Sequence, residues 1–279
     1  MGTHRQADDP EAQAAEDTAG EPIPPSIALA WGLRGRGARG PKPGLTLERI
    51  AQAGIELADR EGIDAVSMAR LAAELGAGTM SLYRYVASKD ELLTLMVDTG
   101  LGPARVPPDV RAAGWRTALA WWARSVREAY GRHPWSLKVP ITAPPLGPNN
   151  VDWMEAALEG MTATPLSEPE KLSTLLLISG FVRNAATLTA DISAAHRADA
   201  TSPTYGTILS QLTDPERFPA IHQAIASGTL DDDDDPNFDT DFDYGLERIL
   251  DGVDALIRRR RRQARHAQDT APEKPARPT

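Results

Sequence analysis

The stretch from Thr46 to Asp98 limits the possible folds more than any other part of the chain. Its apolar residues recur at helical period, and glycines and hydroxyl caps cut the periodic runs into short lengths. Leu47, Ile50, Ala51, Gly54, Ile55 and Ala58 lay one stripe along a first helix. Gly62 follows as a stop, because glycine tolerates positive φ. Ser67 is placed to cap a second helix, whose apolar positions are Met68, Leu71, Ala72 and Leu75. Gly76-Ala77-Gly78 breaks the pattern, so a third helix, Thr79 to Val86, crosses the second steeply. Ser88 and Glu91 have the spacing of a capping box, which opens a fourth helix with Leu92, Leu93, Leu95 and Met96.

The third helix carries Thr79, Ser81, Tyr83, Arg84 and Tyr85, with only Leu82 and Val86 to pin it inward. That leaves an outward polar face of the width a DNA major groove accepts. The same geometry also serves as a solvent-exposed helix in an ordinary bundle, and spacing alone leaves both readings open.

The residues themselves resemble the DNA-binding domain of the TetR family of transcriptional repressors. The likeness rests on Ile50 to Ala58 with Gly62, on Ser67-Met68, Leu71-Ala72 and Leu75-Gly76, then on Leu82-Tyr83-Arg84-Tyr85-Val86 and Ser88-Lys89-Asp90-Glu91-Leu92-Leu93. It covers about a fifth of the chain. It implies a homodimeric repressor on double-stranded DNA, with a small-molecule inducer bound in the second half. On that reading Thr79, Met80, Ser81 and Arg84 face base edges, since arginine can bond guanine bidentately and Thr or Met can meet a thymine methyl. Tyr83, Tyr85, Lys89 and Thr46 are placed for phosphates and fix the register.

Before the first helix, Arg34, Arg36, Arg39 and Lys42 are spaced by glycines and prolines. Such a segment cannot be helical, and an extended cationic arm suits phosphate contacts or an adjacent minor groove. Arg36, Arg39 and Lys42 join the list of expected DNA contacts. Ile27, Leu29, Trp31 and Leu33 precede the arm as a short apolar anchor. Residues 1–25 are rich in Ala, Asp, Glu, Gln and Pro and read as a disordered tail.

Gly100 to Pro108 reads as a linker to a second, larger helical domain. Val110 to Arg132 carries Trp115, Leu119, Trp122, Val126 and Tyr130 at helical spacing and stops at Pro134. Asn149 to Met161 forms another helix. Glu168 to His196 is the longest periodic run, apolar on more than one face, with Arg183, Asn184, Thr187 and Thr189 inside it. Polar groups there need a partner or a ligand. Tyr205 to Ser227 is interrupted at Asp214-Pro215, and Tyr244 to Ile257 is a last helix closed by Arg258 to Arg262. Cations at a helix C-terminus are favoured by its dipole. A second DNA contact there requires that this end lie near the duplex. The acidic run Asp231 to Asp235 lacks the glycine and glutamate of an EF-hand and reads as a solvated loop.

Glu168 to His196 and Tyr244 to Arg258 carry more apolar surface than one small bundle hides, so paired across a two-fold axis they make a four-helix interface. Five of the six tryptophans lie early in the second domain, which suits either a pocket for a flat ligand or ordinary core filling. The expected ligand contacts are Trp122, Trp135, Trp153, Met154, Phe181, Asn184 and Thr187.

Composition narrows the class. The chain has 279 residues and no cysteine, which excludes a disulfide framework and Cys-ligated zinc. A net charge of −9 argues against nucleic-acid binding by the whole surface but not by a local head. No Gly-rich phosphate loop, His-x-x-x-His pair or nucleophile elbow is present, and the five histidines are scattered. The sequence shows no run that reads as membrane-spanning and no leader pattern, so a cytoplasmic protein is expected. The expected fold is all-α. Residues 1–44 form a tail and basic arm, 45–100 a helix-turn-helix domain, 108–262 a ligand-binding and dimerisation bundle, and 263–279 a tail. The expected function is a ligand-released repressor with no cofactor beyond its inducer. The competing reading is a helical small-molecule-binding protein or enzyme without DNA binding.

Overall fold

A computed structural model describes residues 23–33, 45–142, 144–198, 203–230 and 238–269. The basic arm (Arg34, Arg36, Arg39, Lys42), the acidic run Asp231 to Asp235 and the first 22 residues lie outside the described residues. Among the described residues the chain is all-α, with twelve α-helices and two 3-10 segments. They are α1 (Pro25–Ala30), α2 (Leu47–Glu61), α3 (Met68–Glu74), α4 (Thr79–Leu82), α5 (Lys89–Leu101), α6 (Pro108–Ala112), α7 (Trp115–Arg132), α8 (Pro148–Gly160), α9 (Glu168–Ala198), α10 (Tyr205–Leu212), α11 (Pro219–Ala226) and α12 (Phe238–Asp269).

The first core is built by α2 to α5. Every apolar position read from the α2 stripe is buried, and Gly62 ends the helix at φ 85°. Ser67 accepts from the Arg70 amide at 3.3 Å, and Ser88 accepts from the Glu91 amide at 3.1 Å. Glu91 completes the cap on the amide of Ala87 and also accepts from the Ser26 hydroxyl and amide. It therefore ties α1 to the start of α5, and Ile27 and Ala28 of α1 are buried. The apolar anchor ahead of the arm is this short helix.

The second core is built by α7, α8, α9 and α12 around Leu119, Ile178, Leu246, Leu250 and Ile257, all 0% exposed. Three boundaries differ from the sequence reading. Gly114, at φ +91°, separates α6 from α7, so Val110 to Arg132 is not one helix. The final helix starts at Phe238 rather than Tyr244. It also runs past Gln263 to Asp269, so the arginine run sits inside the helix and not at its end.

The α9 helix has two unlike faces. Leu175, Ile178, Val182 and Ala186 are buried, whereas Leu172 (49%), Leu176 (74%), Leu177 (55%) and Leu188 (50%) are exposed. By length and hydropathy alone α9 could cross a bilayer, contrary to the sequence reading. The exposed leucines, however, form one stripe, as a helix facing a partner presents, and not an all-round apolar surface.

At the far end of the second core, Glu170 on α9 accepts from Arg260 Nε of α12 at 2.8 Å and from the Ser167 amide at 2.9 Å. These bonds, the Arg260 one first, pull its carboxyl down from the ordinary 4.5 to about 2. A folded pKa below the unfolded one means the unfolded chain takes up the proton first. The contribution is therefore complete above about pH 4.5 and is lost as pH falls toward about 2. Glu170→Gln is expected to lower the Tm at neutral pH, and the gap from the parent should close across that acid window in pH-scanned thermal melts.

Candidate nucleic-acid interface

The helix after the turn is shorter than its spacing predicts. It is regular only over Thr79–Leu82, because the amides of Tyr85 and Val86 both bond the Leu82 carbonyl, at 2.8 and 3.1 Å. The chain tightens there instead of continuing as helix. Leu82 and Val86 are 0% exposed and hold this turn on the first core. Gly76, at φ +63°, and Gly78 bring it across α3. Met80 (77%), Tyr83 (44%), Arg84 and Lys89 project into solvent, and Thr79 and Ser81 are half-buried beside them. Neither Arg84 nor Lys89 has an ion-pair partner among the described residues, so both cations stay available to an anion.

Two of the expected phosphate contacts also hold the head together. Thr46 Oγ1 accepts from the Arg49 amide at 3.1 Å, capping α2, while its side chain stays exposed. The Tyr85 hydroxyl donates to the Leu45 carbonyl at 2.7 Å. Its one proton is thus engaged with the residue that leads out of the basic arm. The Tyr85 oxygen can donate to a phosphate only by breaking that bond, so it positions the arm's exit before it serves as a donor.

The head is fixed to the second half by long-range bonds that the sequence reading missed. Asp98 near the end of α5 is 3% exposed. Its carboxylate accepts from the amide and side chain of Asn150, at 2.8 and 2.7 Å, and from the amide and side chain of Asn149, at 3.3 and 3.2 Å. Asp59 on α2 accepts from Trp135 Nε1 at 2.6 Å and lies 2.9 Å from His133 Nδ1. The Trp31 indole donates to the Leu146 carbonyl at 2.8 Å. A carboxylate inside an apolar helix, such as Asp98 between Met96 and Leu101, was the available signal for the first of these.

The seven residues named as ligand contacts do not line one common cavity. Trp122 and Trp153 are buried in the second core, where Trp122 donates to the Trp153 carbonyl and Trp153 to the Gly102 carbonyl, each at 2.8 Å. Trp121, half-buried, stacks on Trp153 at 5.4 Å. Trp135 belongs to the first core, held by Asp59 on α2, which corrects its placement in a pocket of the second half. Phe181 stacks on Phe242 at 5.3 Å. Asn184 faces outward on the leucine stripe of α9, and Met154 is 38% exposed. Thr187 donates to the Arg183 carbonyl at 2.9 Å, and Arg183 donates to the carbonyls of Leu137 and Val139, so these polar groups have internal partners. Two hollows lie elsewhere. One of about 520 Å³ runs between α9 and α12, and one of about 490 Å³ lies beside Arg116, Trp121 and Arg124.

The comparisons with known proteins agree with this arrangement. Residues 50–96 match the family described as bacterial regulatory proteins, tetR family. Residues 107–257 match the tetracyclin repressor-like C-terminal domain. The HTH-type transcriptional repressor DrrR1 of Streptomyces coeruleorubidus is 40% identical over 261 residues, 90% of this chain and 92% of its own length. The HTH-type transcriptional repressor Rv1353c of Mycobacterium tuberculosis is 30% identical over 236 residues, 81% of this chain and 85% of its own length. Among solved structures, the Streptomyces coelicolor TetR family protein ActR in complex with actinorhodin superposes with a TM-score of 0.64 at 28% identity, covering 77% of this chain and 98% of that one. ActR in complex with (S)-DNPA gives 0.61 at 29% identity, covering 77% of this chain and 99% of that one. With a helix-turn-helix head at one end and a helical second half matched along most of its length, the chain belongs to the TetR family and is a DNA-binding transcriptional regulator, not an enzyme.

Proposed function

We propose that the protein is a homodimeric repressor which binds a pseudo-palindromic operator in the cytoplasm and is released from it by a small molecule. The single observation that carries the dimer is the leucine stripe of α9, continuous with the apolar groove against α12. An exposed apolar surface of that length on a monomer marks an interface. Two such helix pairs make a four-helix contact about a two-fold axis, and an axis running along the helices, as reading one duplex with both heads requires, sets both heads on the same side. The small-molecule reading is supported by ActR, solved with actinorhodin and with (S)-DNPA. The apolar wall for an effector is then the half-buried Trp121, which lines the hollow beside Arg116 and Arg124 and is backed by Trp153 stacked on it. An effector there shifts the equilibrium only as far as it prefers one head spacing over the other.

In the head, Thr79, Met80, Ser81 and Arg84 are assigned to base edges, and Thr46, Tyr83 and Lys89 to phosphates, with Arg36, Arg39 and Lys42 on the adjoining backbone. Arg84→Ala is the test. It should weaken binding to the operator by roughly 10- to 100-fold, as loss of one bidentate base contact does. The dimer and the Tm should be unchanged, because Arg84 is exposed. Mobility shift on the DNA flanking the protein's own gene, with sedimentation as control, reads both. Unchanged affinity and unchanged sequence preference would remove Arg84 from the base-reading set.

A further inference from the structure

The arginine run at 258–262 is not accounted for by the dipole of its helix. The dipole acts in the last turn, and α12 continues to Asp269. The run also lies at the end of the second half away from the head. Arg260 pairs with Glu170 at the start of α9. Arg183, thirteen residues further along α9 and so roughly 20 Å away, bonds the carbonyls of Leu137 and Val139, next to the Trp135 that bonds Asp59 of the head. The two ends of α12 follow the same order. Its first turns meet Arg127 and Phe181, and its last buried residue is Ile257, three residues before Arg260. Beyond Ile257 the helix extends another twelve residues away from the head.

On this overhang Arg258, Arg261, Arg262 and Arg265 share one face, at i, i+3, i+4 and i+7. Arg258, Arg262 and Arg265 are turned away from the buried side, marked by Leu250 and Ile257, and Arg261, four residues beyond Ile257, continues that side past the end of the core; the groove side, marked by Gly252 and Leu256, lies opposite all four. Arg258 is paired with Asp254 at 3.0 Å. Arg261, Arg262 and Arg265 are exposed and have no ion-pair partner among the described residues. The cations are all arginine, whose planar fork matches phosphate oxygens in pairs. No large apolar side chain is interleaved between Arg258 and His266. A protein interface needs apolar or aromatic anchors and an inserted membrane helix needs an apolar face, and this surface offers neither.

We infer that the arginine face of the α12 overhang binds the phosphate backbone of a second DNA segment, at the end of the molecule opposite the reading head. In a dimer with both heads on one side, both overhangs point the other way. The protein can then hold an operator and a second duplex together, without sequence preference at the second.

The experiment uses the full chain and a 30-base-pair duplex of arbitrary sequence as probe. One copy of the duplex is immobilised and a labelled copy is offered in solution. The parent protein should bridge them in low salt. Each phosphate contact contributes about 0.9 to the slope of log affinity against log salt, so three arginines correspond to a slope of about 2.7 per protomer. The triple variant R261A/R262A/R265A should lose at least tenfold of the bridged signal and shed a slope of that size, with its circular dichroism and its Arg84-dependent operator binding intact. The triple lysine variant should retain most of the slope, since charge sets it. Failure of the parent to bridge, or equal bridging by the alanine variant, overturns the inference. So does capture of vesicles containing 30% phosphatidylglycerol with no capture of DNA. None of these outcomes touches operator binding by the head, which the Arg84→Ala assay reads separately.

Discussion

Leu176→Glu is expected to separate the two copies and, with them, the two heads, lowering operator affinity by two orders of magnitude or more. Leu176 is 74% exposed in the protomer and sits in the middle of the α9 stripe between Leu172 and Gly180. Within one copy the substitution removes no core contact, so protomer stability should shift by only about 0.5 kcal/mol. Across a two-fold axis it places two carboxylates against apolar partners, and each would be desolvated without a counter-charge. Two heads held on one body gain roughly 10²- to 10⁴-fold over one, through effective concentration alone, and a monomer forfeits that gain. Sedimentation equilibrium should report a monomer, and mobility shift should report weak binding of single half-sites. A variant that stays dimeric and binds normally would place the interface elsewhere than α9 and α12.

The head was legible in the sequence because what determines it is local. A stripe at helical spacing, a glycine at φ 85° and serines three residues ahead of a free amide each act within one or two turns. The burial of Leu82 and Val86 followed from the same reasoning. The length of α4 did not, since it depends on two amides sharing one carbonyl, a tightening that side-chain pattern does not encode. The fate of the tryptophans was illegible for a different reason. An indole carries one donor, and which acceptor it meets is decided by packing. Trp135 reaches Asp59 across 76 residues of sequence, and Trp122 reaches Trp153 across 31. Spacing groups these rings together, whereas tertiary structure divides them between two cores. The exposed half of α9 was readable as excess apolar surface, but Asn184 lies on that outward stripe and not in a pocket, which only the rotation of the helix against α7 and α12 could decide.

Asp98→Ala is expected to cost about 3 kcal/mol of stability, the scale for several hydrogen bonds to one buried charged group. It should also weaken the link between the head and the second half. The first amides of a helix have no partner within it. At α8 the N-cap is Gly147, which has no side chain to offer, and the first turn contains no acid of its own. The anion is supplied instead from α5, by the carboxylate that receives the amides of Asn149 and Asn150. Gly147 is required for this approach, because a Cβ there would overlap the Asp98 carboxyl. Gly147→Ala should therefore destabilise by a comparable amount. The double variant should fall well short of the sum, since both changes break one arrangement, and urea unfolding of the four proteins measures that coupling. Additive costs would mean that the two residues act separately. The same bonds join the last helix of the head to a helix of the tryptophan cluster, so any effector that moves α8 must move α5 with it while Asp98 holds. An Asp98→Ala protein that still binds operator should then have lost most of its response to an effector that releases the parent. Equal release from both would place the path between the two halves at Asp59, His133 and Trp135 instead.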